Sequence, residues 1–230
     1  MRPFGPMNEN GRLNESGRAG SGADALAAGR LSLLRKLMHL TMTLVPAAGW
    51  LVSPQAALRL AAALLAASLA LEGVRRGWPA VNRLLWRLLP TVFRAWEGRA
   101  VLGSTWLAIG MALTAFLWDS DISGTAILFL VWGDPAAEVA GRRWGRRGAG
   151  KTLMGSLGCL AACLMAGVVG VGLGGLSPWS VGVGALVATA VERWSPPPDD
   201  NLWMPVLSGL AIALTQLGRG GAVEWFPIAR

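Results

Sequence analysis

The sequence predicts an all-α, polytopic membrane protein, and three observations predict it. The 230 residues are 53% apolar and only 15% charged, with 12 Trp, 31 Gly and a positive mean hydropathy, which leaves too little polar surface for a soluble domain. Apolar runs recur near 37 to 53, 55 to 72, 104 to 118, 123 to 141, 153 to 173, 179 to 191 and 202 to 217. Each approaches the roughly 17 to 25 residues of a spanning helix, some at the short end. Basic residues also collect in alternate connections, which suits an odd number of spans, here seven.

Taken in order, residues 1–29 are Gly, Asn, Ser and Arg with scattered acids and no apolar run, the composition of a disordered tail rather than a signal peptide. Residues 30–230 then form a single transmembrane domain. Arg35, Lys36 and His39 stand at the mouth of the first span, and Glu72-Gly73-Val74-Arg75 closes the second. Between the second and third, Trp78, Leu84, Leu85, Leu88, Leu89, Val92 and Phe93 alternate at helical spacing with Arg83, Arg87 and Arg94. That is the pattern of an amphipathic helix lying in the headgroup plane. Glu97 and Gly103-Ser104-Thr105 precede the third span, where either hydroxyl could cap the helix.

The fourth span carries Asp134 and Glu138 one turn apart. Gly133-Asp134-Pro135 reads as a break in that span, with Asp134 capping a second half and Pro135 at its first position. In the fifth, Cys159 and Cys163 are four apart and share a helix face, the spacing of packing side chains rather than of a bridge or metal site. Glu192-Arg193 ends the sixth, and Pro196-Pro197-Pro198-Asp199-Asp200-Asn201 leads into the seventh. By the positive-inside rule the amino terminus and the Arg-rich loops are cytoplasmic and the carboxyl terminus lies outside.

The net charge of +8 comes almost wholly from Arg, Lys36 and Lys151 being the only lysines, which suits lipid headgroups and phosphates. No nucleic-acid partner is expected. A carboxylate at bilayer depth costs about 2.5 to 3.5 kcal/mol on insertion scales, so Asp134 and Glu138 are the leading functional candidates. One reading is that they pair with arginines between helices. The other is a magnesium-triphosphate site: a divalent ion held by carboxylates and substrate phosphates, with Gly141 and Gly145 letting backbone approach the ligand and the cationic loop Arg142 to Lys151 supplying countercharge.

Gly145-Arg146-Arg147-Gly148-Ala149-Gly150-Lys151-Thr152 matches GxxxxGK(S/T) letter for letter. A phosphate loop needs a preceding buried strand and a βαβ context, and a membrane helix precedes this one. The nucleotide-fold reading is therefore rejected. Anion contact by Lys151 and Thr152 survives it, because glycine amides and a lysine at a helix start attract phosphate in any fold.

The ordered motifs Arg35-Lys36-x-x-His39, Glu72-x-x-Arg75, Glu97 with Gly103-Ser104-Thr105, Gly133-Asp134-x-Ala136-Ala137-x-x-x-Gly141-x-x-x-Gly145, Lys151-Thr152-x-x-Gly155-Ser156, and Glu192 with Asp200-Asn201-x-x-x-Pro205 run from about residue 31 to 210. Together they resemble the CTP-dependent lipid kinase family of dolichol kinase, phytol and farnesol kinases and the yeast-type diacylglycerol kinase, which is related to the phosphatidate cytidylyltransferases. The resemblance implies transfer of the γ-phosphate of CTP, with Mg2+, to a long-chain lipid alcohol such as a polyprenol, phytol or diacylglycerol. It implies a core of Arg35, Lys36, Asp134, Gly141 and Lys151, supported by Asp200 and Asn201.

On that basis Asp134 and Asp200 are the expected metal ligands, and Gly133, Gly141, Arg142, Arg143, Gly145, Lys151, Thr152 and Asn201 the expected nucleotide contacts. Arg35 and Lys36 would neutralise the leaving diphosphate, and Glu138 or Glu97 could accept the alcohol's proton. A phosphatidate cytidylyltransferase and a transporter remain as alternatives. Against the transporter, the two halves show no convincing inverted repeat and the acids cluster toward one face.

Overall fold

The computed structural model describes residues 36–88, 100–145, 150–221 and 223–225. The expected tail, Arg35, Glu97 and the distal part of the expected amphipathic segment lie outside the described residues. Those described are helical apart from short connections: α1 Leu44–Leu51, α2 Pro54–Gly77, α3 Pro79–Leu88, α4 Gly103–Leu117, α5 Ser120–Trp144, α6 Leu153–Gly174, α7 Pro178–Trp194 and α8 Asp200–Gly218. A helical turn over 36–41 precedes α1.

Sequence chemistry sets the helix starts. Ser53 Oγ accepts from Ala56 N–H at 3.1 Å ahead of Pro54, Asp119 Oδ1 accepts from Asp121 and Ile122, and Thr152 Oγ1 accepts from Gly155 at 3.1 Å. Each satisfies a helical N–H that has no carbonyl to bond. Pro178 takes the first position of α7, where its missing N–H costs nothing.

α5 is the axis of the molecule. Every residue from Ile122 to Val131 is buried, as expected of a helix surrounded on all sides. It packs on α6 most extensively and also on α1, α4, α7 and α8. Glycines make the α5–α6 approach possible: a Cβ on Gly158 would stand 2.5 Å from Ala140 Cβ and 2.9 Å from the Ala136 carbonyl, and one on Gly155 would be 3.0 Å from the Ala137 carbonyl. Small residues at a crossing let backbones close on one another and gain dispersion contacts.

The break expected at Gly133 to Pro135 is absent. α5 runs unbroken through Pro135, although that residue withholds the N–H that would bond to Val131. Tight packing explains the continuity, since the space of a Gly133 side chain is filled by Met204 Cε, Cys163 Sγ and Cys159 Sγ at 2.8 to 3.1 Å. The interruption falls instead in the first apolar run. Pro46 cannot donate to the Met42 carbonyl, which takes the Val45 N–H at 3.0 Å, and the chain turns at Met42 and Thr43 before α1 begins.

α2 and α6 are long and apolar enough to cross a membrane, and α4 is a shorter apolar helix. Their outer faces leave Leu69, Leu157, Leu164, Met165 and Val168 exposed. That much bare hydrocarbon on one molecule fits a lipid environment rather than water. Polar connections meet in two sets at the two ends of α5. At one, Trp50 donates to Asp121 at 3.2 Å and the Asp119 N–H bonds to the Glu224 carbonyl. At the other stand the groups described next.

Candidate active site

The carboxyl end of α5 meets the 36–41 turn. Glu138 accepts a charge contact from Arg142 at 2.7 Å and another from Lys36 at 3.6 Å, while Asp134 Oδ2 lies 3.6 Å from His39 Nδ1. Asp134 and Glu138 do share a face, because a spacing of four returns the helix to nearly the same direction. Their ion pairs run to the first segment and to Arg142, so the inter-helix pairing reading is met in part, with Lys36 and His39 as the partners from another element. Lys36, His39, Asp134 and Glu138 are each mostly but not fully buried.

Lys151 organises a second group. It stands just before α6, and its ammonium lies 2.5 Å from Asp200 Oδ2 and 3.1 Å from Glu192 Oε1, and it also donates to the Glu192 carbonyl. Arg193 in turn donates to the Lys151 carbonyl. Burial alone would depress Lys151, but the neighbouring Asp200 and Glu192 charges outweigh it and hold the pKa above that of a free lysine. Burial would likewise raise Asp200, yet the Lys151 charge and the hydrogen bond from the Ser195 hydroxyl bring it below the usual aspartate range.

Ser195 closes α7 in the left-handed conformation, φ 42°, which directs its hydroxyl onto Asp200 Oδ2 at 2.8 Å and the Glu192 carbonyl at 3.1 Å. The two groups adjoin, since the charge of Asp134 reaches Glu192. Asn201 anchors the start of α8 to α4 through Gly103, with Nδ2 3.4 Å from that carbonyl. Glu72 binds Arg75 at 2.6 Å and Arg76 at 2.5 Å and accepts from Leu102 N–H, while Arg75 also donates to the Ala100 carbonyl. This cluster clamps α2 to the entrance of α4.

The structure thus gathers Lys36, Asp134, Glu138 and Arg142 on one side and Lys151 and Asp200 on the other, all at one end of the helices. Thr152 faces inward: its Oγ1 caps α6, and it occupies the space beside Gly141 and Gly145, where added Cβ atoms would lie 3.1 and 2.6 Å from it. Gly133 packs on the two cysteines. Arg143 is exposed near the site. Glu192, Ser195 and His39 complete the constellation beyond the residues expected to hold metal or nucleotide; the sequence signal for Glu192 is an acid at the polar end of an apolar helix. Among the described residues no group of three or more His, Cys, Asp or Glu could hold a metal ion by itself.

Fold and site together define an all-helical, membrane-type protein whose charged groups converge at one helical end. The chain is similar to CTP-dependent diacylglycerol kinase 1 of Schizosaccharomyces pombe, 29% identical over 160 residues, covering 61% of this chain and 72% of that one. It is similar also to the Eremothecium gossypii protein of the same name, 30% identical over 105 residues, or 44% of this chain and 32% of that one. No family model matches, and no solved structure matches. These relatives support the family read from the ordered motifs, that of the CTP-dependent lipid kinases.

Proposed function

We propose that the chain transfers the γ-phosphate of CTP to the hydroxyl of a membrane lipid alcohol, with diacylglycerol the first substrate to consider and polyprenol or phytol next. The observation that carries the reading is the Lys151 ammonium, held between Asp200 and Glu192, with Asp134 of α5 close enough to act on Glu192. The relatives, CTP-dependent diacylglycerol kinases, supply the nucleotide and the lipid class. Phosphoryl transfer needs mainly alignment and charge neutralisation, which a cationic rim at a helical end can give.

In this reading Lys151, Arg142 and Arg143 contact the triphosphate, and Lys36, with Arg35, faces the charge growing on the departing diphosphate. Magnesium usually keeps one or two carboxylates plus substrate phosphates, so the lack of a three-acid cluster among the described residues is compatible with it. Asp134 would hold it, with Asp200 as the second candidate once a ligand draws Lys151 away. Bound there, the ion would neutralise phosphate charge. Seven spans, with the amino terminus and this site cytoplasmic and the carboxyl terminus outside, complete the proposal.

The test incubates purified chain in detergent with γ-labelled CTP, magnesium and a panel of diacylglycerol, polyprenol, phytol and phosphatidate. Label in an extracted lipid alcohol is the expected result. CDP-lipid formation with diphosphate release would replace the kinase by a cytidylyltransferase, and no transfer to any lipid would overturn the reading.

A further inference from the structure

The carboxylates at this end of the helices differ in how they are satisfied. Glu138 faces Lys36 and Arg142, Asp134 faces His39, and Asp200 Oδ2 receives both Lys151 and Ser195. Glu192 is split. Its Oε1 faces Lys151 at 3.1 Å, while its Oε2 is buried and has no hydrogen-bond partner among the described residues. The residue is 5% exposed, so water does not take the partner's place freely. A buried acceptor left unmade is costly, and a ligand that brings a donor recovers that cost.

The chemistry of the donor follows from the surroundings. Triphosphate oxygens at neutral pH only accept, so the nucleotide's phosphates cannot serve Oε2. An alcohol can. Glu192 lies in the last turn of α7, where the apolar helix reaches its polar end. Lys151, the phosphate contact proposed above, touches the same carboxylate, so a hydroxyl at Oε2 would stand next to the phosphoryl group that Lys151 holds.

We propose that Glu192 is a catalytic residue that accepts the hydroxyl hydrogen of the lipid alcohol at Oε2; this rests on the kinase reading above. As the hydroxyl oxygen forms its bond to the γ-phosphorus, the bond from that phosphorus to the β,γ-bridging oxygen breaks. CDP leaves with the electron pair, and the hydroxyl proton passes to Glu192. The assignment prefers Glu192 over Glu138, whose carboxylate is engaged by two cations. It places the alcohol on the α7 side of the site.

The test compares wild type with Glu192→Gln and Glu192→Asp, using the full chain in mixed micelles with diacylglycerol, magnesium and γ-labelled CTP. Thermal midpoints check folding, and equilibrium binding of labelled CTP checks the nucleotide site. The expected result is a kcat about 100-fold or more lower in Glu192→Gln, with CTP affinity within about twofold of wild type and partial recovery in Glu192→Asp. If Glu192→Gln does not fold, the Asp variant carries the comparison, with a reduced kcat and retained CTP affinity expected. A kcat within about threefold of wild type would overturn the assignment. So would a CTP affinity falling in parallel with kcat, which would put Oε2 on the cytidine moiety or make Glu192 a holder of Lys151. Wild-type protein that transfers label to no lipid would defeat the kinase reading itself, a separate outcome.

Discussion

Lys151 Nζ lies 2.5 Å from Asp200 Oδ2, a contact that ties the approach to α6 to the first turn of α8. Glu192 joins the same ammonium from the end of α7, so one cation fastens three elements.

Removing either partner strands charge of the other sign. Fully buried pairs lose about 3–5 kcal/mol when one member goes, but Lys151 is one-third exposed and part of that is screened by solvent. Asp200→Asn, which leaves Glu192 to hold the lysine, should cost about 1–2 kcal/mol, and Lys151→Met, which leaves two acids facing each other, more. Unfolding in detergent gives the order. Equal losses would show that the acids do not repel.

The same pair fixes a pH plateau. Asp200 is depressed, so its stabilisation is present above the unfolded aspartate value of about 3.9 and is lost as pH falls through the lower folded value. Lys151 is raised, so its stabilisation is complete below about 10.4 and is lost as pH rises through the higher folded value. The thermal midpoint should therefore stay level across neutral pH and drop at both extremes. Asp200→Asn should weaken the acid-side drop, and an unchanged acid limb in that variant would contradict the assignment.

Two glycines should respond oppositely to alanine. On α6, the new methyl of Gly158→Ala would meet Ala140 Cβ at 2.5 Å and the Ala136 carbonyl at 2.9 Å, forcing α5 and α6 apart at a cost of about 1–3 kcal/mol. On α7, nothing lies within 4 Å of a Cβ at Gly182, so Gly182→Ala should stabilise by about 0.5–1 kcal/mol through helix propensity. Paired thermal melts test both, and a neutral Gly158→Ala would mean a looser crossing.

Charge at the rim separates binding from folding. The Arg142 side chain is 63% exposed and pairs with Glu138 within one helix, a contact worth about 0.5 kcal/mol or less. Arg142→Ala should leave the melting temperature nearly unchanged while raising KM for CTP several-fold. Asp134→Asn, at the proposed metal position, should reduce kcat by at least about 100-fold. Steady-state kinetics against CTP decides both, and wild-type turnover in Asp134→Asn would remove that residue from the reaction.

The all-helical class and the grouping of polar residues were legible because long apolar runs follow directly from lipid solvation. Pro135 shows where that stops. Local chemistry favours a break there, but Met204, Cys159 and Cys163 come from other helices and support the continuous helix, while the first run is interrupted at Met42 and Thr43, where Pro46 withholds an N–H from the Met42 carbonyl. Periodicity placed Asp134 and Glu138 on one face yet could not reveal that Lys36 and His39 would occupy it. Gly141 and Gly145 read as room for a ligand, whereas Thr152 from the neighbouring helix stands there. Glu192 was visible as a charge at a helix end, but its divided carboxylate depends on three-dimensional burial.

The glycine crossing of α5 and α6 fixes a register. With no room for a Cβ on Gly155 or Gly158 against Ala136, Ala137 and Ala140, one helix cannot slide along the other without driving larger side chains into its backbone. Lys151 and Thr152 are thereby indexed to the carboxyl end of α5 like teeth on engaged gears. Changing the selectivity of this centre then requires exchanging side chains, because shifting the rods that carry them would unseat the whole mesh.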